Sequence, residues 1–320
     1  MKKNKSHRNK TIDFNLSTGK KYLKEIVKAN EITNLSSVIN MTICGDSFEV
    51  LSLLPEKSVD LLIVDPPYNL TKNYHGHVFD KQNSEEYTNF TRKWVEKTMR
   101  LLKDTGTMYV CCDWESSIVI GQILSEYFII QNRITWQREK GRGAKRNWKN
   151  SMEDIWFVTL SNDYVFNVDD VKVRKKVIAP YRKDGKPKDW EETSDGNFRN
   201  SHPSNFWDDI TIPYWSMPEN TAHPTQKPEK LIAKLILASS NEGDVILDPF
   251  LGSGTTSVVA KKLNRKYIGI EQNKQYCAWA QYRLELADSE SQIQGYTDGV
   301  FWERNTLNIQ NKIKNKKKEL

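Results

Sequence analysis

Apolar residues recur along this chain in short runs separated by amphipathic stretches. The run VDLLIV, residues 59–64, has the pattern of a strand buried on both faces. A shorter strand is predicted at 41–44, ending in Gly45-Asp46, and a helix over 48–54 that Pro55 stops. Tyr87, Phe90, Trp94, Thr98 and Leu101 fall at helical spacing behind Ser84, which reads as the N-cap, with Glu85 and Glu86 in the first turn. Gly106 precedes a strand at 107–111. A helix at 118–128 and strands at 129–136 and 155–160 follow. Periodicity then fails from 162 to 216, where charges are mixed and Trp190, Trp207 and Trp215 are scattered. It returns as helix 230–239, strand 245–247, helix 255–263, strand 267–270 and helix 276–286.

Strands alternating with helices predict an α/β fold with a doubly wound, mostly parallel sheet. The expected divisions are a polar arm over 1–38, with some helix near 22–27, and a first half-domain over 39–161. An inserted lobe (162–216), a second half-domain (217–287) and a basic tail (288–320) complete them.

The chain has 320 residues and a formal net charge of +7. Residues 138–188 hold 14 Lys and Arg against 7 Asp and Glu, so this stretch is suited to a polyanion. Lys312 to Lys318 is a second basic run, read as a solvated end. No apolar run approaches the roughly 20 residues of a membrane span, and no apolar stretch follows the basic start, so a cytoplasmic protein is expected. Cys44, Cys111, Cys112 and Cys277 form no CxxC pair and no metal-ligand spacing with the histidines. Reduced thiols and no bound metal are expected.

Two motifs follow predicted strands directly. Asp248-Pro249-Phe250-Leu251-Gly252-Ser253-Gly254-Thr255-Thr256 leads from a strand into a helix. Its glycines allow close approach of backbone to a ligand. Glu271 ends the next strand, 19 residues beyond Gly252, where an acid can take both ribose hydroxyls of a nucleoside cofactor. Ser257 stands where GxGxxG would have its third glycine, so dinucleotides and other nucleoside cofactors both remain open from this motif. The second motif is Asp65-Pro66-Pro67-Tyr68. Two prolines give a rigid loop without N–H donors. Its carbonyls and the Asp65 carboxylate are acceptors, and the ring of Tyr68 is a platform. That combination suits an amino group on a planar base.

Together with Gly45-Asp46, Asn69, His223 to Pro228 (HPTQKP) and Ile268 to Glu271 (IGIE), these motifs resemble the permuted, β-type, site-specific DNA amino-methyltransferases that act on adenine N6 or cytosine N4. The resemblance covers about residues 41–160 and 220–287. It implies a Rossmann-like methyltransferase sheet that is circularly permuted, with the Asp248 strand beside the Asp65 strand. It also implies S-adenosylmethionine as cofactor and double-stranded DNA as substrate. Asp65 and the Pro66 carbonyl would accept from the target amine, with Pro67 stiffening the loop and Tyr68 stacking on the extruded base. Asp46, Asp65, His223, Thr225, Lys227, Asp248, Phe250, Gly252, Ser253, Gly254, Thr255, Glu271 and Gln272 would surround the cofactor. His223, Thr225 and Lys227 would pack over its methionine carboxylate.

Asn69 is placed beside the DNA. Residues 70–83, with Lys72, His75 and His77, read as a mobile segment flanking the base. Lys140, Arg142, Lys145 and Arg146 belong to the glycine- and cation-rich stretch 140–149, which suits phosphate contact. The lobe is assigned to target recognition. A homodimer and a cognate restriction endonuclease are further partners that the resemblance leaves open.

Asp at position 65 favours adenine N6, with cytosine N4 as the nearest alternative. Methylation at cytosine carbon 5 needs a thiolate nucleophile, which in such enzymes usually follows a proline, and no cysteine here does. Methylation of RNA or protein amines, or a binding module that has lost activity, fits the motif set less well.

Overall fold

The computed structural model describes residues 6–74, 76–138, 145–178 and 181–311. Among them nine strands form one sheet, in the order Val27–Lys28, Met41–Cys44, Lys266–Glu271, Val245–Asp248, Val59–Val64, Leu102–Cys112, Met152–Thr159, Ile129–Gln137, Phe206–Trp207. Every pairing is parallel except the two made by Met152–Thr159. Alternation along the VDLLIV strand serves both faces. Leu61 and Ile63 join one core with Leu231, Leu235 and Val258, while Leu62 and Val64 join the other with Val50, Trp94 and Ile120. Helices Ser47–Leu53, Ser84–Met99 and Trp114–Tyr127 cover the second face; Glu229–Ser239, Thr255–Lys262 and Lys274–Ala287 contribute to the first. The sheet is doubly wound, as the periodicity requires.

Several elements differ from expectation. The Ser84–Met99 helix is capped by Asn83, whose side chain accepts from the Glu86 N–H while the Glu86 carboxylate accepts from the Asn83 N–H. Asparagine with Glu three residues on forms a reciprocal box, which outcompetes Ser84. Gly106 lies inside the Leu102–Cys112 strand rather than before it, and a Cβ there would stand 2.7 Å from the Leu102 side chain. Instead of a helix over 22–27, Lys20–Glu25 is a 3₁₀ turn and Val27–Lys28 a strand.

The N-terminal stretch is no free arm: Ile12 bridges to Thr221, and the Phe14 carbonyl accepts from Trp279 and Gln275. The lobe is not closed by residues 162–216 either. Val173–Lys176 lies between Gly196–Ser201 and Val300–Trp302, so a strand from the expected tail completes the second sheet. Phe206–Trp207, for its part, joins the main sheet. Short polar strands need partners distant in sequence, and periodicity cannot report those.

Candidate active site

Ile246 lies opposite Leu61 and Leu247 opposite Leu62, so strands whose ends are 184 residues apart in sequence are neighbours. From this pair the strand order runs one way through Lys266–Glu271 and the other through Leu102–Cys112. The crevice beyond strand carboxyl ends at such a switch is where open α/β sheets bind ligands. It holds a cavity of about 290 Å³.

The glycine loop forms one wall. Asp248 is buried; it accepts from the Thr256 hydroxyl at 2.6 Å and the Phe250 N–H at 2.9 Å. Burial pushes its carboxyl up to about 7 against those donors. Gly252 has φ 57° and a Cβ there would stand 3.1 Å from His223 Nε2; Gly254 has φ 89° and one would stand 2.6 Å from Ala280 Cβ. Arg283 braces the loop from behind, donating to the Ser253 carbonyl, the Thr255 hydroxyl and the Glu229 carboxylate. Glu271 accepts from the Gly252 N–H at 2.9 Å and the Asn273 N–H at 2.7 Å. Burial raises its carboxyl to about 7, the two N–H donors opposing.

Asp65-Pro66-Pro67-Tyr68 forms the other wall. Lys227 Nζ stands 2.7 Å from both Asp65 carboxylate oxygens, and the Tyr68 hydroxyl donates to Asp65 Oδ1 at 2.9 Å. Burial, then the charge of Asp65, drives the Tyr68 phenol well above its ordinary value. The Pro67 carbonyl accepts from the Tyr87 hydroxyl. Asn69 is a clip: its side chain exchanges hydrogen bonds with the backbone of Gln82, closing the segment 70–83 at its base. That segment contains two short antiparallel strands, and its Phe79 reaches the cavity. Phe48, Phe79, Phe90 and Phe250 give the cavity an aromatic side, with Phe90 centred 5.7 Å from Phe48 and 5.6 Å from Phe79.

Residues 221–228 bridge the walls. Gln226 Oε1 accepts from the Thr221 N–H and hydroxyl, and the Thr225 N–H donates to His223 Nδ1. This folds the segment so that His223 and Thr225 face the cavity while Lys227 points under the Asp65 loop.

Of the residues singled out by sequence, the cavity brings together Asp46, Asp65, Pro66, Pro67, Tyr68, His223, Thr225, Phe250, Gly252, Glu271 and Gln272. Asp46 also caps the Ser47–Leu53 helix, accepting from the Phe48 and Glu49 N–H groups. Lys227, Asp248, Ser253, Gly254 and Thr255 stand behind the walls instead. Lys227 is taken by Asp65, and the others by the bracing just described. Lys145 and Arg146 are exposed; Lys140, Arg142 and His75 lie outside the described residues, as does the basic run 312–318. Sequence reasoning missed Phe48, Phe90 and Tyr276, which sit on helices as ordinary apolar positions, and Glu153, whose partners come from three separate segments. Among the described residues no group of three His, Cys, Asp or Glu could hold a metal ion, and no helix is long and apolar enough to cross a membrane.

An open, mostly parallel sheet with an acid-ended, glycine-walled cleft at its switch point defines a Rossmann-like nucleoside-cofactor protein, here with an acceptor loop facing that cleft. The chain belongs to the DNA methylase family, whose model matches residues 59–282. It is 40% identical over 248 residues to the Type II methyltransferase M.HpaI of Haemophilus parainfluenzae, covering 76% of this chain and 73% of that protein. It is 35% identical over 269 residues to the DNA adenine methyltransferase YhdJ of Escherichia coli strain K12, covering 82% and 88%. Among solved structures, the cytosine-N4-specific PvuII DNA methyltransferase has the same fold, with a TM-score of 0.59 and 19% identity over 86% of this chain and 92% of that one. The fold is therefore the Rossmann-like methyltransferase sheet, in the permuted order in which the Asp65 strand precedes the glycine loop.

Proposed function

We propose that this chain is a site-specific DNA-methyltransferase that transfers the methyl group of S-adenosylmethionine to the N6 amine of an adenine flipped out of duplex DNA. One observation carries the reading: the Asp65-Pro66 acceptors and the Gly252–Glu271 wall face one cavity across adjacent parallel strands. The adenine assignment draws on Asp at position 65 and on the likeness to YhdJ. The setting, restriction and modification of DNA, draws on the likeness to the Type II enzyme M.HpaI.

The cavity fits the cofactor. Glu271 suits the ribose hydroxyls, the aromatic side with Asp46 suits the adenine, and Gly252 leaves the room beside His223 and Thr225 for the methionine end. S-adenosylmethionine would supply an electrophilic methyl on a sulfonium and leave as the neutral thioether, the proton lost by the methylated amine passing by way of Asp65 to solvent. The protein's residues do the rest by positioning and electrostatics. An exocyclic amine is a poor nucleophile because its lone pair is delocalised into the ring. Asp65 Oδ and the Pro66 carbonyl accept its two N–H groups, drawing the nitrogen toward tetrahedral geometry with its lone pair facing the sulfonium side. Pro66 and Pro67 fix the loop, so no reorganisation is needed at the moment of transfer. Tyr68, with its hydroxyl held by Asp65, offers its ring to the base. Lys145 and Arg146 contact phosphates, and the basic lobe reads the target.

Methylation-aware sequencing of DNA from cells expressing the protein tests this directly. N6-methyladenine in a fixed context is expected. N4-methylcytosine would reassign the base, and unmodified DNA beside a folded protein would reject the reading.

A further inference from the structure

We propose that Glu153 is a positioning residue for methyl transfer, anchoring the Lys227 ammonium that fixes the Asp65 carboxylate beneath the base. The proposal rests on Asp65 being the amine acceptor. Glu153 lies on the Met152–Thr159 strand and is 2% exposed. It meets three groups: the Arg138 guanidinium, Lys227 Nζ at 3.4 Å and the Tyr68 hydroxyl at 3.4 Å. Lys227, 7% exposed, is bonded to both Asp65 oxygens and donates to the Tyr68 hydroxyl at 3.1 Å.

Two anions and two cations thus form a compact neutral cluster directly under the catalytic loop. Such a cluster is a poor source of stability, since apolar side chains would fill the space without the desolvation cost. Its geometry serves aim. Lys227 takes one lone pair of each Asp65 oxygen and the Tyr68 hydroxyl takes the second of Oδ1, which leaves one lone pair on Oδ2 for the target amine. Glu153 holds Lys227 from the opposite side, and Lys227 bonds both Asp65 and the Tyr68 hydroxyl, so the carboxylate and the aromatic platform share one anchor. Lys227 also lies in the segment whose His223 and Thr225 face the cavity, so the cluster ties the methyl-donor side to the base side.

The charges acting on Asp65 come from each neighbouring element. Lys227 comes from the 221–228 segment, Glu153 and Arg138 from the antiparallel strands, and Asp248 from the adjoining strand. The buried thiols of Cys111 and Cys112 face it from Leu102–Cys112.

The test uses the full chain with E153Q, K227M and K227R, reading S-adenosylmethionine affinity by calorimetry and single-turnover transfer to target duplex. E153Q is expected to keep wild-type cofactor affinity and lose about 10- to 100-fold in transfer rate, the cost of a misaimed reacting group. K227M is expected to lose at least as much in transfer rate. K227R is expected to restore part of the rate. Wild-type transfer by E153Q, or cofactor affinity falling in step with rate, would each overturn the proposal. A wild-type protein that binds cofactor and transfers no methyl to DNA would instead defeat the functional reading, and this inference with it.

Discussion

Two aspartates end adjacent parallel strands of the same sheet and are put to opposite use. Asp248 is sealed in, bonded to a hydroxyl and a backbone N–H, and burial raises its carboxyl to about 7. Asp65 keeps 23% of its side chain accessible and faces an ammonium. Neutral donors hold a loop in shape; an ammonium bonded to both oxygens holds a carboxylate in place. The difference lies in what approaches from behind: Thr256 on a helix in one case, Lys227 on a connecting segment in the other.

The largest effect is expected from D65A. Tritium-methyl transfer should fall by at least about 10²–10³-fold, the usual worth of one preorganised group at a reacting centre, with cofactor binding partly retained. Transfer at the wild-type rate would erase the distinction between the two aspartates. Next, E271A should weaken S-adenosylmethionine binding about 10- to 100-fold, as for a hydrogen bond to a charged group. Because ribose hydroxyls favour the ionised carboxylate and Glu271 titrates near 7, wild-type affinity should fall below that pH. E271Q should flatten the dependence, and calorimetry at pH 6 and 8 decides it.

The double variant K145E/R146E should weaken duplex binding uniformly across sequences and lower the salt slope by about two, one for each phosphate contact. An unchanged slope in fluorescence titrations would remove these residues from the DNA face. The smallest effect is assigned to D248N. Asp248 has a raised folded pKa, so its contribution to stability is fully present below the ordinary carboxylate range and is lost as pH rises toward about 7. D248N should therefore melt below wild type most clearly near pH 5 and least near pH 8; the reverse order would contradict the sign.

The alternation of strands and helices was legible because burial imposes period and composition, while the permuted order and the shared cleft were legible only through the motifs' resemblance to the DNA amino-methyltransferases. VDLLIV has the pattern of an interior strand, and the two prolines behind it read as a stiff loop of acceptors. The bracing was not legible. Arg283, Glu229 and Lys262 meet through helix packing, and nothing in their spacing announces it. Lys227 was read with its neighbours His223 and Thr225, yet Gln226 folds back on Thr221 and turns Lys227 to the other side. The lobe was least legible of all. Its strands are short and mostly exposed, and its partner strand lies more than 100 residues downstream of Val173.

That partner strand has a consequence for how the molecule comes into being. Val300–Trp302 is translated after every strand of the main sheet, and the Trp302 carbonyl also accepts from the buried Lys230 ammonium. The main sheet can thus be assembled while the second sheet still lacks the strand that pairs in parallel with Val173–Lys176. A nascent chain released before residue 300 would hold every strand of the main sheet and leave Val173–Lys176 without its parallel partner.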